Sequence, residues 1–262
     1  MVIVMNKLLK HKYILLLIPS LSGLIVFWIW PSVYNVKYMF EDGKAIENIQ
    51  YLLTNEYFCT AIVNTFLFTV IAAPMAIFLA LVIAILTYKF AQNIPFIRKA
   101  YFLPIVLPSA VIVTIWQIFF SDVAPFRALI AIYLWKYSGM YYVIILTAIA
   151  SLNSEMFEAA YVDGANDIQA VVYLMLPCII PTLFFTLALA IVNSFKIFRE
   201  SFLLYGGYPE TEVYMYQNFI NNHFYKLNYQ YISTAAVLLA LLIHILVAVL
   251  LFTERRWSGK IW

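Results

Sequence analysis

Hydrophobic and polar positions along this chain fall into long blocks instead of alternating. Six windows carry no charged side chain: residues 13–36, 57–88, 100–121, 137–154, 168–195 and 227–253. Trimmed at their polar ends, they predict spans at about 13–36, 59–88, 100–121, 137–154, 171–195 and 230–253. A helix needs about 20 mostly apolar residues to cross some 30 Å of hydrocarbon, and these blocks qualify or nearly so. Open strands would leave backbone groups unsatisfied in lipid, and a β-barrel would show alternating segments of about 10 residues. The pattern therefore predicts an all-α integral membrane fold, a single transmembrane domain over 1–262. Trp28, Trp30, Trp116, Trp135 and many tyrosines lie near window ends, where interfacial anchors belong.

Composition agrees. Lys and Arg number 16 and Asp and Glu 13, so charged residues make up 11%, against about 25% in a soluble domain. Hydrophobic residues reach 65% and the mean hydropathy is +0.90. So few charges could not cover a soluble globule, and a net charge of +3 is no phosphate-binding patch. Cys59 and Cys178 allow one disulfide at most. Lys7, Lys10 and Lys12 precede the first window like a secretory signal, but the apolar run ends at Trp30-Pro31 without a small-residue cleavage site. It reads as a retained first span.

Orientation follows from the basic residues of the loops. With the N-terminus inside, the inner segments hold nine basic residues (Lys7, Lys10, Lys12, Lys89, Arg98, Lys99, Arg255, Arg256, Lys260) and five acidic ones. The outer side receives the other seven basic and eight acidic residues. The balance places both termini in the cytoplasm, although the inner segment 155–167 is purely acidic.

The chemistry of an enzyme is missing. Only Gly43 and Gly259 precede a lysine, and neither has a glycine five residues earlier, so no P-loop exists to cradle phosphates. His11, His223 and His244 are scattered without metal-ligand spacing, and no G-x-S-x-G elbow occurs. His244 lies within the sixth window, where two readings stand: a neutral, hydrogen-bonded helix contact or a member of a transport path. The windows contain no carboxylate relay, which argues against a secondary transporter. A membrane-embedded enzyme lacks its motifs.

The most unusual polar stretch, residues 153–167, reads NSEMFEAAYVDGAND. Ser154 can cap a helix whose first turns carry Glu155 and Glu158 at the positive end of the dipole. Ala159 and Ala160 favour helix, and Gly164 permits a sharp bend. Pro177 suits the first turn of the helix that follows. A short helix, a bend and re-entry result. Such an acidic, small-residue knob is either a docking element for a groove on a partner or an ordinary connector.

Glu158-Ala159-Ala160, Asp163-Gly164-Ala165, Gln169, Leu176-Pro177 and Pro181 resemble the EAA motif of permease subunits in bacterial binding-protein-dependent ABC importers. The first-span residues Leu17–Leu24 with Phe27 and Pro31, Glu47–Tyr51, Phe58 with Asn64-Thr65, Arg98 with Leu103-Pro104 and Trp116, and Tyr205–Pro209 with Thr211 are similar to the sugar-permease branch of MalF- and UgpA-like subunits. The resemblance runs nearly end to end. It implies a type I importer fold of six transmembrane helices with a cytoplasmic coupling loop at 154–170. It also implies a second six-span permease, two copies of a P-loop ATPase and an external solute-binding protein as partners. ATP and Mg would be bound by the ATPase, with no cofactor in this chain, and the setting would be the bacterial cell (inner or plasma) membrane. Glu158, Ala159, Ala160, Asp163, Gly164 and Ala165 become the ATPase-coupling residues. The stretch 170–175 is apolar where members of this family carry basic and aromatic residues, which places the docking charge on Glu158 and Asp163. The solute implied is a carbohydrate, or a derivative such as glycerol phosphate or a uronide.

For the substrate pathway, Asn193, Lys196, Arg199 and Glu200 lie at the outer end of the fifth window. Charges so near hydrocarbon tend to face a bundle interior or a water path. Lys196 and Glu200, four apart, either pair with each other or meet solute. Asn64 and Thr65 read as helix–helix hydrogen bonds rather than ligands.

Overall fold

The computed structural model describes residues 17–90, 95–119 and 123–258. Lys7, Lys10, Lys12, His11, Asp122, Lys260 and the ends of the first and third windows lie outside them. Among the described residues all regular structure is helical. Five helices are long and apolar enough to cross a membrane, or six when one bent pair counts as a single span. The chain divides into two compact units, residues 1–55 with 223–241 and residues 56–222 with 242–262.

In the first unit, α1 (Leu17–Met39) contains a π-helical turn at Ile25–Ile29 and leaves most of its apolar side chains exposed, Met39 being buried. A short amphipathic helix, α2 (Ala45–Thr54), follows and buries Ala45, Asn48 and Leu52. Tyr51 stacks on Tyr231 at 4.2 Å between ring centres, and His223 meets the same Tyr231 edge-on. Exposed apolar surface on α1 suits lipid or a partner helix.

The second unit is built around α3 (Glu56–Phe90) and α6 (Pro125–Ala150), which lie along each other. Ala72, Ala76, Ala80 and Ala84 repeat every four residues on α3 and are fully buried. Lipid offers no hydrophobic gain for helix association, so small residues that admit a close neighbour supply the contact area. Between them come α4 (Pro95–Val106) and α5 (Ser109–Phe119), bent by 100° from each other. The third window, expected as one span over 100–121, is therefore broken at Leu107-Pro108. Pro108 has no N–H to continue the ladder, and Leu107 turns back to the Pro104 carbonyl at 3.3 Å. α4 crosses α6 at Gly139, where a Cβ would overlap the Tyr101 carbonyl oxygen. Nothing larger than hydrogen fits there.

The fourth helix differs most from its window. It starts at Pro125, twelve residues before the 137 expected, and runs through Arg127 and Lys136. A charge ends a membrane window only when it must reach water. Lys136 does not, because Glu200 neutralises it inside the protein. After α7 (Ser154–Val162), one helical turn (Asp167–Gln169) and a π-helical turn (Ala170–Met175) lead into α8 (Leu176–Ser194). The Leu176 N–H reaches back five residues to Val171, immediately before Pro177, which lacks an N–H. α9 (Phe198–Tyr205), α10 (Tyr216–Tyr225) and α11 (Tyr229–Ser258) complete the order.

Candidate coupling site and outer polar cluster

The acidic segment folds as a helix, a bend and a second start. Asn153, in extended conformation, caps α7 by accepting the Glu155 N–H at 3.0 Å. Ser154, expected as the cap, is instead the first helical residue. Asparagine one position earlier wins because its carbonyl reaches the orphan donor of the first turn. α7 ends with the Ala165 N–H on the Ala160 carbonyl (2.9 Å) and the Gly164 N–H on Tyr161 (3.1 Å). Gly164 has φ +89°, a left-handed conformation that other residues adopt only with strain. Asn166 and Gln169 then close a reciprocal capping box, each side chain accepting the other's N–H at 2.9 Å.

Phe157 anchors α7 inward, while Glu158, Ala159, Asp163 and Gly164 are exposed and Ala160 and Ala165 half-buried. Val162 is 87% exposed at the end of the helix. It lies between the two halves of the motif read from the sequence, Glu158–Ala160 and Asp163–Ala165. Beside α7, Lys89, Phe157, Glu158, Tyr161 and Met175 line a notch of about 200 Å³. Asp167 pairs with Lys89 at 3.1 Å and accepts the Tyr161 hydroxyl at 3.0 Å. That donation raises the Tyr161 pKa above the ordinary phenol value.

The four pathway candidates separate into two arrangements. Asn193 is buried, its amide donating to the Tyr141 hydroxyl (3.2 Å) and its carbonyl accepting Lys196 Nζ (2.8 Å). Tyr141 meets the Tyr133 hydroxyl at 3.1 Å, and Tyr133 donates to the Ala190 carbonyl at 2.7 Å, so the chain of polar groups joins α8 to α6. Glu200 is fully buried and holds Lys136 Nζ at 2.5 Å; Lys136 also reaches Ser109 Oγ at 3.4 Å. Of the two readings, pairing of Lys196 with Glu200 is not what forms: the structure has Lys196–Asn193 and Lys136–Glu200 instead. A buried carboxylate takes a buried cation before an exposed one, since only the former shares its low dielectric. Lys196 and Arg199 remain exposed. Lys136, 8% exposed, was missed because it was read as a loop charge. An isolated lysine between Pro125 and Ala150 in an otherwise apolar run was the signal.

Thr65 makes the expected helix–helix bond, to the first residue of α10, whereas Asn64 bonds the segment that leads into that helix. Asn64 donates to the Thr211 and Tyr214 carbonyls at 2.6 and 3.0 Å, and Thr65 accepts the Tyr216 N–H at 2.9 Å. They fasten the segment after Gly206, which turns the chain with a φ of +77°. Burial pushes the Tyr214 phenol up, and burial with nearby Lys226 holds the His223 imidazole below its ordinary value. His244 is exposed on α11. Among the described residues no group of three His, Cys, Asp or Glu side chains converges as a metal site would.

Residues 58–259 match the family described as the binding-protein-dependent transport system inner membrane component. The chain belongs to this family. It is a transmembrane permease subunit of an importer, and the all-helical fold agrees with solved relatives. The permease GgtC for osmoprotective compounds of Synechocystis sp. is 27% identical over 276 residues, covering 92% of this chain and 97% of that protein. The permease AmyD of a probable transport system for starch degradation products, from Thermoanaerobacterium thermosulfurigenes, is 26% identical, covering 78% and 80%. The crystal structure of a bacterial alginate ABC transporter with an alginate pentasaccharide-bound periplasmic protein contains a chain that superposes with a TM-score of 0.79. That chain is 20% identical, with 96% of this chain and 97% of its own length covered.

Proposed function

We propose that this permease forms half of the translocation pathway of an ATP-driven carbohydrate importer and docks on a separate ATPase through α7. The observation that carries the docking is the geometry of that helix. It is capped by Asn153, anchored by Phe157 and turned by Gly164, and it offers Glu158, Ala159, Val162 and Asp163 to a partner. Glu158 meets a basic residue of the ATPase, the alanines allow close approach, and Gly164 sets the angle. The importer contains a second six-span permease, two copies of the ATPase and an external solute-binding protein. Both termini of this chain are cytoplasmic. ATP and Mg belong to the ATPase; this subunit performs no catalysis and carries no cofactor.

A carbohydrate is favoured because AmyD and the alginate transporter are both named for saccharides. Exposed Lys196 and Arg199, at the outer end of the fifth span, favour a second reading, an anionic derivative such as a sugar phosphate or uronide. Deleting this chain from its host and measuring uptake of labelled neutral oligosaccharides, glycerol phosphate and a glucuronide decides between them. Loss of ATP-dependent oligosaccharide uptake is expected. Selective loss of an anionic solute supports the second reading, and uptake by this chain that survives ATP depletion contradicts both.

A further inference from the structure

The segment from α7 to the fifth span is purely acidic, so any cation that fixes it must come from elsewhere in the fold. Lys89, in the last turn of α3, supplies it. Asp167 divides its two oxygens: Oδ2 takes Lys89 Nζ at 3.1 Å, and Oδ1 takes the Tyr161 hydroxyl at 3.0 Å. The Asp167 backbone has little freedom, because the Asn166–Gln169 capping box closes around it. Tyr161 is part of the bend, its carbonyl accepting the Gly164 N–H. The end of α3, the end of α7 and the start of the fifth span therefore meet on one carboxylate. The side chains are 21% and 68% exposed for Lys89 and Asp167, so the pair adds little to stability. Its contribution is geometric: it fixes the angle between α7 and α3.

We propose that Lys89, Asp167 and Tyr161 form a positioning joint that passes displacement of α7 to α3 during transport. The proposal rests on the reading of α7 as the ATPase-docking helix. The carboxylate holds one helix with each oxygen, so a tilt of α7 that keeps the joint closed carries α3 along. Removing the cation cuts this link and leaves α7 held by its Phe157 anchor. The joint does not touch solute or nucleotide.

The test uses the complete importer isolated from its host membranes and placed in lipid nanodiscs, with Cys59 and Cys178 replaced. An environment-sensitive fluorophore on Phe78→Cys, an exposed position of α3, reports movement when ATP and orthovanadate are added. Lys89→Met and Asp167→Asn should cut the fluorescence change at least about fivefold, the low end of ordinary coupling factors. ATP hydrolysis and the thermal midpoint should stay near wild type, and the exchanged pair Lys89→Asp with Asp167→Lys should restore the change. A wild-type response in both single variants overturns the joint. So does loss of hydrolysis along with the response, which would make Lys89 part of the docking surface. Glu158→Lys, measured in parallel, separates the two levels. If it abolishes hydrolysis and movement while Lys89→Met changes nothing, docking stands and the joint falls. If Glu158→Lys changes nothing, the docking reading itself falls.

Discussion

Two lysine–carboxylate pairs tie the second unit together, and they sit in opposite environments. Lys136 and Glu200 are enclosed by α6, α9 and the start of α5, at 2.5 Å and nearly without exposure. Lys89 and Asp167 join α3 to the segment after α7 at 3.1 Å with both side chains partly exposed. The inner pair has lost its hydration and depends wholly on its partner for compensation. The outer pair keeps solvent as an alternative, so it can open and close at small cost. The inner pair suits a fixed framework, and the outer one suits a joint.

The largest expected effect comes from breaking the inner pair on one side. Glu200→Leu leaves Lys136 buried and uncompensated, and should cost about 3–5 kcal/mol, read as a lowered unfolding midpoint in detergent. Adding Lys136→Met should recover most of the loss, because a well-packed apolar pair is often neutral. A second interior change tests how little slack the framework has. Gly139→Ala forces a methyl onto the Tyr101 carbonyl and should cost about 1–3 kcal/mol or more, by the same assay.

At the coupling segment the scale falls. Asn153→Ala removes the cap of α7 and should cost about 1 kcal/mol of local stability. Hydrogen exchange should rise in residues 154–162 with the global midpoint little changed. The smallest effect belongs to the outer pair: Lys89→Met should shift stability by only about 0–1 kcal/mol. A shift comparable to that of Glu200→Leu would erase the contrast between the two pairs.

Both pairs bear on what a sequence shows. The six apolar blocks and the polar bend at Gly164 were legible because each follows from local chemistry, hydrocarbon thickness and a positive φ; the cap of α7 was read one residue late, at Ser154 instead of Asn153. The start of α6 was not, since a window cut at every charge treats Lys136 as a loop residue. Its partner lies 64 positions away, beyond any local pattern. The break at Pro108 was visible as a proline but not as a 100° bend, because a proline inside a span either kinks or is absorbed. At the candidate site, residues 158–165 were found as a motif. Val162 and Lys89 were not, one being apolar in a polar loop and the other belonging to a different helix.

The central claim is that α7 docks this permease on a separate ATPase. Tagging the chain in its native host and isolating it in mild detergent, with co-purifying proteins identified by mass spectrometry, tests it most directly. The native chain should bring a P-loop ATPase and a second six-span permease. Glu158→Lys and Gly164→Val should lose the ATPase while keeping the permease. Retention of the ATPase at native level in both variants would contradict the docking of α7.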